Sequence, residues 1–452
     1  MIRPFLICNM SSDNNATTLI RAGQFAQAAR QGGIILIALS LPRLGIGRDV
    51  IGVWENLLYL GYILGFGWMT GLLQAFLVRI RLTRPQAADR FSRIAILSVG
   101  VFSLLLLTIA AGLHEPLFRL LRLGDAPPGW GYFFLFLLTQ WPGLFFEQIL
   151  TIRGKAWPLA IFGGLSSLGL VLALLMPLFY GLTLPHALFI LACFAGVKGV
   201  VILGWLLYDH LNDQTIKTVS KQEKEQLSPW LKAAWPLMIY ATVSALVTAF
   251  DPWFVNYWYD GDEDVFAVFR YGARELPLLA AFTNGAMVVV LPRLTEAPSA
   301  GLDLLKESSR RLMHWIFGGA ILLMVTAPWW WTLVFTEMFA ESRPLFQAYL
   351  FVVASRLLFP VPVLTAMGHT RMLMVFGLLE LVLNVLISIL LVPHFGLMGI
   401  IWATVLAYLI DKVCLMYYLR YRTGIPPKRY TDFRWYGGYL AVMLVAYLLM
   451  SR

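Results

Sequence analysis

The sequence predicts an all-α polytopic membrane protein built as two six-helix lobes related by a pseudo-twofold along the membrane normal, with a possible short thirteenth segment. Composition supplies the first reason: of 452 residues, 59% are hydrophobic and only 13% charged, where a soluble domain carries roughly half and about a quarter. Mean hydropathy is +0.72, and only lipid tolerates that much apolar surface with so little charge. The second reason is the set of apolar runs near the length of a bilayer crossing. The third is that the two halves repeat.

Runs of about 20 apolar residues, bounded by charge or turn residues, predict spanning helices at 22–42, 56–78, 91–112, 131–152, 157–179 and 185–207. A second set follows at 233–256, 272–292, 312–335, 344–366, 372–392 and 398–418, and a shorter run covers 436–450. The longest internal polar stretch, 208–232, holds Lys217, Lys221, Glu223, Lys224, Glu225 and Lys232 and separates six helices from six. The predicted organisation is an N-terminal lobe (1–207), a cytoplasmic linker (208–232), a C-terminal lobe (233–418), and a basic loop with a C-terminal hydrophobic segment (419–452). Only about six apolar residues follow Arg3 before Ser11, too few for a signal-peptide core, so the first anchor is expected to be a retained helix.

A formal charge of +10 suggests nucleic acid in a soluble chain; in a membrane chain it reports orientation. With the N-terminus inside, Arg79, Arg81, Arg84, Arg90, Arg93, Arg153, Lys155 and the linker lysines fall in cytoplasmic loops, as do Arg293, Lys306, Arg310, Arg311 and the Arg420–Arg434 cluster. The opposite loops hold only Arg43, Arg48, Arg119, Arg122, Arg270 and Arg343. Lys and Arg bias of this kind sets topology.

Duplication shows as Asp49-Val50-Ile51-Gly52-Val53-Trp54 against Asp264-Val265-Phe266-Ala267-Val268-Phe269. A second match sets Leu174-Leu175-Met176-Pro177-Leu178-Phe179 against Leu390-Leu391-Val392-Pro393-His394-Phe395. The offsets agree and span an even number of helices, so both copies run the same way through the membrane.

Charges inside the spans are the candidate site, because each costs at least about 2.5–3.5 kcal/mol on insertion scales. At about 1.5 Å per residue, Arg30, Lys198, Arg356 and Glu380 all lie about 10–12 Å from the inner edge, two from each lobe. Read functionally, they form a cationic cavity floor suited to an anion, since the arginine fork matches phosphate oxygens. Read structurally, Arg356 and Glu380 pair with each other while Arg30 and Lys198 snorkel. Gln24, Gln27 and Gln31 around Arg30 favour function there. Asp251, before Pro252 in the outer third of its helix, is a coupling-ion or proton site or else a helix-end cap. Arg270 and Arg274 open the next helix at the outer surface, placed to meet anionic cargo or the acidic loop. Glu147, Asp411 and Lys412 read as interfacial or mutually paired.

The remaining features read as structure. Gly61, Gly65, Gly67 and Gly71 predict close helix packing; Pro142, Pro236, Pro277, Pro328 and Pro360 predict kinks. Trp329–Trp331 and Trp253–Tyr259 form an expected aromatic belt, and residues 301–311 a short amphipathic surface helix. Cys8, Cys193 and Cys414 lack disulfide or metal spacing, so neither metal nor cofactor is expected. The Asp260–Asp264 acidic loop resembles transferase metal carboxylates but faces outward, and no G-x-x-x-x-G-K phosphate loop occurs. No enzymatic activity is expected, and no catalytic residues.

The run Leu379-Glu380-Leu381-Val382-Leu383-Asn384, through Leu391-Val392-Pro393-His394-Phe395-Gly396-Leu397-Met398-Gly399, to Ala403-Thr404 resembles the C-terminal half of the polysaccharide-biosynthesis (O-antigen-type) flippases. That family belongs to the superfamily of multidrug, oligosaccharidyl-lipid and polysaccharide exporters, which also holds the peptidoglycan lipid flippases. Helix seven with Asp251, Val265–Tyr271, Pro292-Arg293-Leu294 and Arg43-Leu44-Gly45 through Gly52 carry the likeness along nearly the whole chain. The resemblance implies a flippase moving an isoprenoid-diphosphate-linked oligosaccharide from the cytoplasmic to the outer leaflet of a bacterial inner membrane by alternating access of two lobes. Its expected partners are that lipid, membrane lipids and polysaccharide assembly proteins, with no nucleic acid. It also implies a cationic cavity, for which Arg30, Lys198 and Arg356 match by depth. The chain departs from fourteen-helix members in having one extra segment rather than two. The rival is a cation-coupled multidrug exporter of the same fold, in which intramembrane acids dominate.

Overall fold

In a computed structural model, residues 13–83, 85–211, 220–274 and 290–450 are described. They form helices and short 3-10 turns joined by brief connections, with no strand among the described residues. Eleven stretches among them are long and apolar enough to cross a membrane, including Phe433–Met450, the thirteenth run of the sequence. The first run, 22–42, lies within a helix too polar to count among the eleven, and 272–292 lies mostly outside the described residues.

The chain divides into two compact units, 1–245 and 246–452. The first contains α1 (Asp13–Arg43), α2 (Arg48–Leu82), α3 (Pro85–Gly112), α4 (His114–Leu121), α5 (Trp130–Ile152), α6 (Ala156–Phe179) and α7 (Leu184–Leu211). It also contains most of α8 (Ser220–Trp258). The described polar residues of 208–232 are therefore helical: they end α7 and begin α8. The reason is Trp230, completely buried against Phe76, Phe91 and Phe145, with its indole N–H donating to the Leu72 carbonyl at 3.2 Å. One large aromatic anchor outweighs the charges around it.

Small residues set the packing of this unit, as expected for close helix approach in lipid. Gly61 and Gly65 face α5, where a Cβ on Gly65 would fall inside the Trp141 indole. Gly67 and Gly71 face α8 at Thr242 and Met238. Ala26 of α1 meets Gly163 of α6, and Gly33 meets Ser167 and Val171. At the charged end of the bundle, Asp209 of α7 receives Arg93 and Arg153, each at 2.6 Å.

The second unit holds the end of α8, then α9 (Glu263–Gly272) and α10 (Pro298–Phe335). The expected surface helix 301–311 is the first part of continuous α10, since no Gly or Pro separates it from the span that follows. The predicted helix over 344–366 is instead three pieces, α11 (Ser342–Tyr349), α12 (Val352–Arg356) and α13 (Pro360–Ala366). Pro360 has no N–H to give the Arg356 carbonyl one turn earlier, which ends the helix there. Next come α14 (Thr370–Phe395), α15 (Leu397–Thr423) and α16 (Phe433–Met450).

Gly396, at φ 57° and ψ −136°, joins α14 to α15 in a turn closed to side chains. Just beyond it, a Cβ on Gly399 would come within 2.8 Å of the Leu391 backbone. α16 packs along α10, where Tyr439 stacks on Phe317, and Tyr436 donates to the Ala354 carbonyl at 3.1 Å. The aromatic belt is only partly a belt: Trp329 is exposed, while Trp331 is 1% exposed and donates to the Phe339 carbonyl at 2.8 Å. A buried indole takes a partner for its N–H.

The repeated motifs occupy equivalent places. Asp49 lies in the first turn of α2 and Asp264 in the first turn of α9. Pro177 and Pro393 stand two residues before the ends of α6 and α14.

Candidate functional site

In the N-terminal unit, α1, α5 and α7 bring one cluster together. Arg30 forms an ion pair with Glu147, and Lys198 donates to Gln140 Oε1 at 2.7 Å. Glu147 lies in electrostatic range of both cations. The α5 residues Gln140, Gly143 and Glu147 share one face of an otherwise apolar helix. Gly143 leaves room for Lys198, whose Cε would lie 2.6 Å from a Cβ there. Lys198 is 7% exposed and stands 5.8 Å from the Phe162 ring centre, whereas the Arg30 side chain keeps 32% exposure. Glu147 is thus a buried partner of Arg30 rather than an interfacial residue. Two cations share one carboxylate, which leaves excess positive charge for an anion. On another face, α1 and α6 line an open apolar groove of about 590 Å³, with Phe25, Ala29, Leu36, Trp157, Ile161 and Leu165 along it.

In the C-terminal unit Asp251 accepts from Asn384 Nδ2 at 2.7 Å and from Thr404 Oγ1 at 2.6 Å. Ser388 donates to Asn384 Oδ1 at 3.4 Å. Asn384, Ser388 and Thr404 are each at most 1% exposed. Asp251 is therefore tied to α14 and α15 and does not cap a frayed end. Glu380 of α14 and Lys412 of α15, each sixteen residues from Gly396, approach each other across the hairpin. Lys412 Nζ stands 2.6 Å from Asp411 Oδ2 and 3.9 Å from Glu380 Oε2. Arg356 ends α12 with its guanidinium 5.2 Å from the Tyr408 ring centre. Glu380 thus has Lys412 as an ion-pair partner in this seam, with Arg356 in electrostatic range.

Arg274 sits over the Tyr271 ring at 5.2 Å, just past α9, which carries Arg270 in its last turn. In the acidic loop, Asp262 caps α9 by accepting from the Val265 N–H at 3.0 Å, a structural role. No group of three or more His, Cys, Asp and Glu side chains suited to a metal occurs among the described residues.

Gln140, Glu147, Asn384, Thr404, Asp411 and Lys412 escaped the sequence reading as site residues. The available signal was helical spacing: Gln140 and Glu147 on α5; Glu380, Asn384 and Ser388 on α14; Thr404, Tyr408 and Lys412 on α15. Polar stripes at that period inside apolar spans mark an interior face.

Apolar helices of spanning length, with partnered charges in their interiors, define a multi-pass membrane protein. Residues 145–452 match the family described as Lipid II flippase MurJ. The chain belongs to that family. A solved lipid II flippase MurJ, in an inward closed conformation, shares the fold at TM-score 0.65 and 13% identity, over 97% of this chain and 98% of its own. An outward-facing multidrug resistance MATE transporter of the MOP superfamily gives TM-score 0.61 at 13% identity, covering 91% and 96%. A MOP superfamily transporter from Pyrococcus furiosus gives 0.60 at 15% identity, covering 91% and 95%. No curated protein sequence matches the chain. The superfamily that the sequence resembles is therefore the right one, and the family matched within it is that of the lipid II flippases.

Proposed function

We propose that the chain flips an isoprenoid-diphosphate-linked saccharide from the cytoplasmic to the outer leaflet of a bacterial inner membrane, its N-terminus in the cytoplasm, by alternating access of its two lobes. Lipid II, the cargo in the family's name, is the first candidate; the likeness of 379–404 to polysaccharide-biosynthesis flippases makes a longer oligosaccharide the second. The observation that carries this reading is the pair Arg30 and Lys198 sharing Glu147 in an apolar unit. A diphosphate entering there exchanges one carboxylate for charge-assisted bonds to two cations. Arg356, Arg270 and Arg274 extend the cationic path, and Asp251 with Glu380 serves coupling to a cation or proton.

The test is flipping of a fluorescent polyprenyl-diphosphate saccharide by the full chain in proteoliposomes. Wild type transports it while Arg30→Ala and Arg356→Ala, correctly folded, do not; unchanged transport in both removes the cationic-cavity assignment. Depleting the protein in its host, with mass spectrometry of membrane extracts, identifies the cargo as the lipid-linked saccharide that accumulates. The buried carboxylate Asp251, with amide and hydroxyl partners, supports a second reading, a cation-coupled multidrug exporter. Sensitivity to cationic drugs without saccharide accumulation selects that one.

A further inference from the structure

We infer that the open groove between α1 and α6 holds one acyl chain of an anionic glycerophospholipid, whose phosphate headgroup rests against Arg21 and Lys155 at the groove's mouth. The two helices run side by side in the same direction, since Ala26 meets Gly163 and Gly33 meets Val171. Arg21 stands one turn before Phe25, at the head of the stripe Phe25, Ala29 and Gly33 that lines the groove. Residues at that spacing share a helix face. On the other side Lys155 directly precedes α6, next to Trp157. Both basic residues are exposed, and neither side chain has a hydrogen-bond or ion-pair partner among the described residues.

The groove itself suits a hydrocarbon chain. Small residues keep it open: a Cβ on Gly164 would stand 3.1 Å from the Phe25 ring. Ser167 supplies the only hydroxyl in the lining and donates it to the Gly163 carbonyl at 2.9 Å, so beyond its mouth the groove offers an occupant no polar partner. From Phe25 to Leu36 it runs about 16 Å along α1, close to one leaflet of the hydrocarbon core, roughly 15 Å. At the mouth Trp157 is 75% exposed, an amphipathic ring at the level where headgroups meet hydrocarbon.

Two unpartnered cations at one end and a leaflet's depth of apolar wall at the other match a lipid with a charged head and an unbranched tail. Basic residues beside spanning helices attract anionic headgroups, and a straight chain lies over Ala29 and Gly33 more closely than a methyl-branched isoprenoid does. Arg30 is off this stripe and paired with Glu147 of α5, so the lipid site and the charged cluster are separate.

The deciding measurement is photo-crosslinking of the full chain in phosphatidylcholine vesicles that contain a phosphatidylglycerol with a diazirine in one acyl chain. Mass spectrometry of the digested protein is expected to find the label concentrated on 25–36 and 157–171, and a phosphatidylcholine with the same diazirine to label these segments no more than other lipid-facing ones. Label spread evenly over the spans overturns the proposal, as does equal labelling of the groove by the two probes, and neither result needs a variant to fold. Arg21→Gln/Lys155→Gln lowers the groove label by about ten- to thirty-fold, from the loss of two basic residues near an anionic surface. Ala29→Phe, which fills the groove, removes the label; labelling unchanged in either variant overturns the assignment. Polyprenyl diphosphate that strips the label more effectively than unlabelled phosphatidylglycerol gives the groove to the cargo and overturns it too. No transport is read, so vesicles that flip nothing bear on the flippase reading alone.

Discussion

In the N-terminal unit two cations, Arg30 and Lys198, share the single carboxylate of Glu147; in the C-terminal unit three carboxylates, Asp251, Glu380 and Asp411, stand with Lys412 and Arg356. The helical spacing of the polar groups is alike in both, and the packing around them is equally apolar. What differs is the sign of the surplus. The two units therefore differ in the charge of the few polar side chains inside them, positive in surplus in the first and negative in the second.

The largest effect expected from breaking this contrast is at Arg30. Arg30→Ala lowers flipping by about ten- to a hundred-fold, the worth of a charged hydrogen bond, and also leaves Glu147 with Lys198 as its one nearby cation among the described residues. Removing one partner of a buried pair costs about 3–5 kcal/mol of stability. The double variant Arg30→Gln/Glu147→Gln restores melting temperature but not flipping, which separates the two losses. Next is Asp251→Asn, expected to reduce gradient-driven flipping by about ten-fold, equivalent to one such bond, with cargo binding unchanged. A fall in binding instead would mean that Asp251 shapes the cargo site.

A smaller effect falls on Glu147→Gln. With its carboxylate gone, Arg30 and Lys198 hold a polyprenyl diphosphate more tightly, and turnover slows as release becomes harder; weaker binding would show that Glu147 orients the cargo. The smallest belongs to Gly396→Ala, whose backbone conformation costs a side chain about 1–3 kcal/mol, read as a lowered melting temperature.

Much of this was legible from sequence. Apolar runs marked the spans because nothing else in a chain is that long and that uncharged, and the α2 glycines signalled close packing because only bare backbone lets helices approach so closely, though not which helices they meet. Charge depth found Arg30, Lys198, Arg356 and Glu380, since each is costly enough to stand out. Partners were harder. Arg30 and Glu147 lie on different helices, and depth alone does not say which faces meet; the Glu380–Lys412 pair was not foreseen because where two hairpin arms meet is a matter of backbone geometry. Hydroxyls and amides such as Thr404 and Asn384 cost too little to insert to announce themselves.

That hairpin register bears on how the chain tolerates change. Because Glu380 and Lys412 meet at equal distances from Gly396, and Asn384 and Thr404 converge on Asp251 from the two arms, a single-residue deletion in either arm turns every polar side chain beyond it by about 100°. Matched insertions in both arms, or point substitutions, leave the alignment standing. Descendants of this sequence are therefore free to vary in residue identity along the hairpin while keeping its length on both sides of the glycine, and a transplant into another chain succeeds only with both arms taken together.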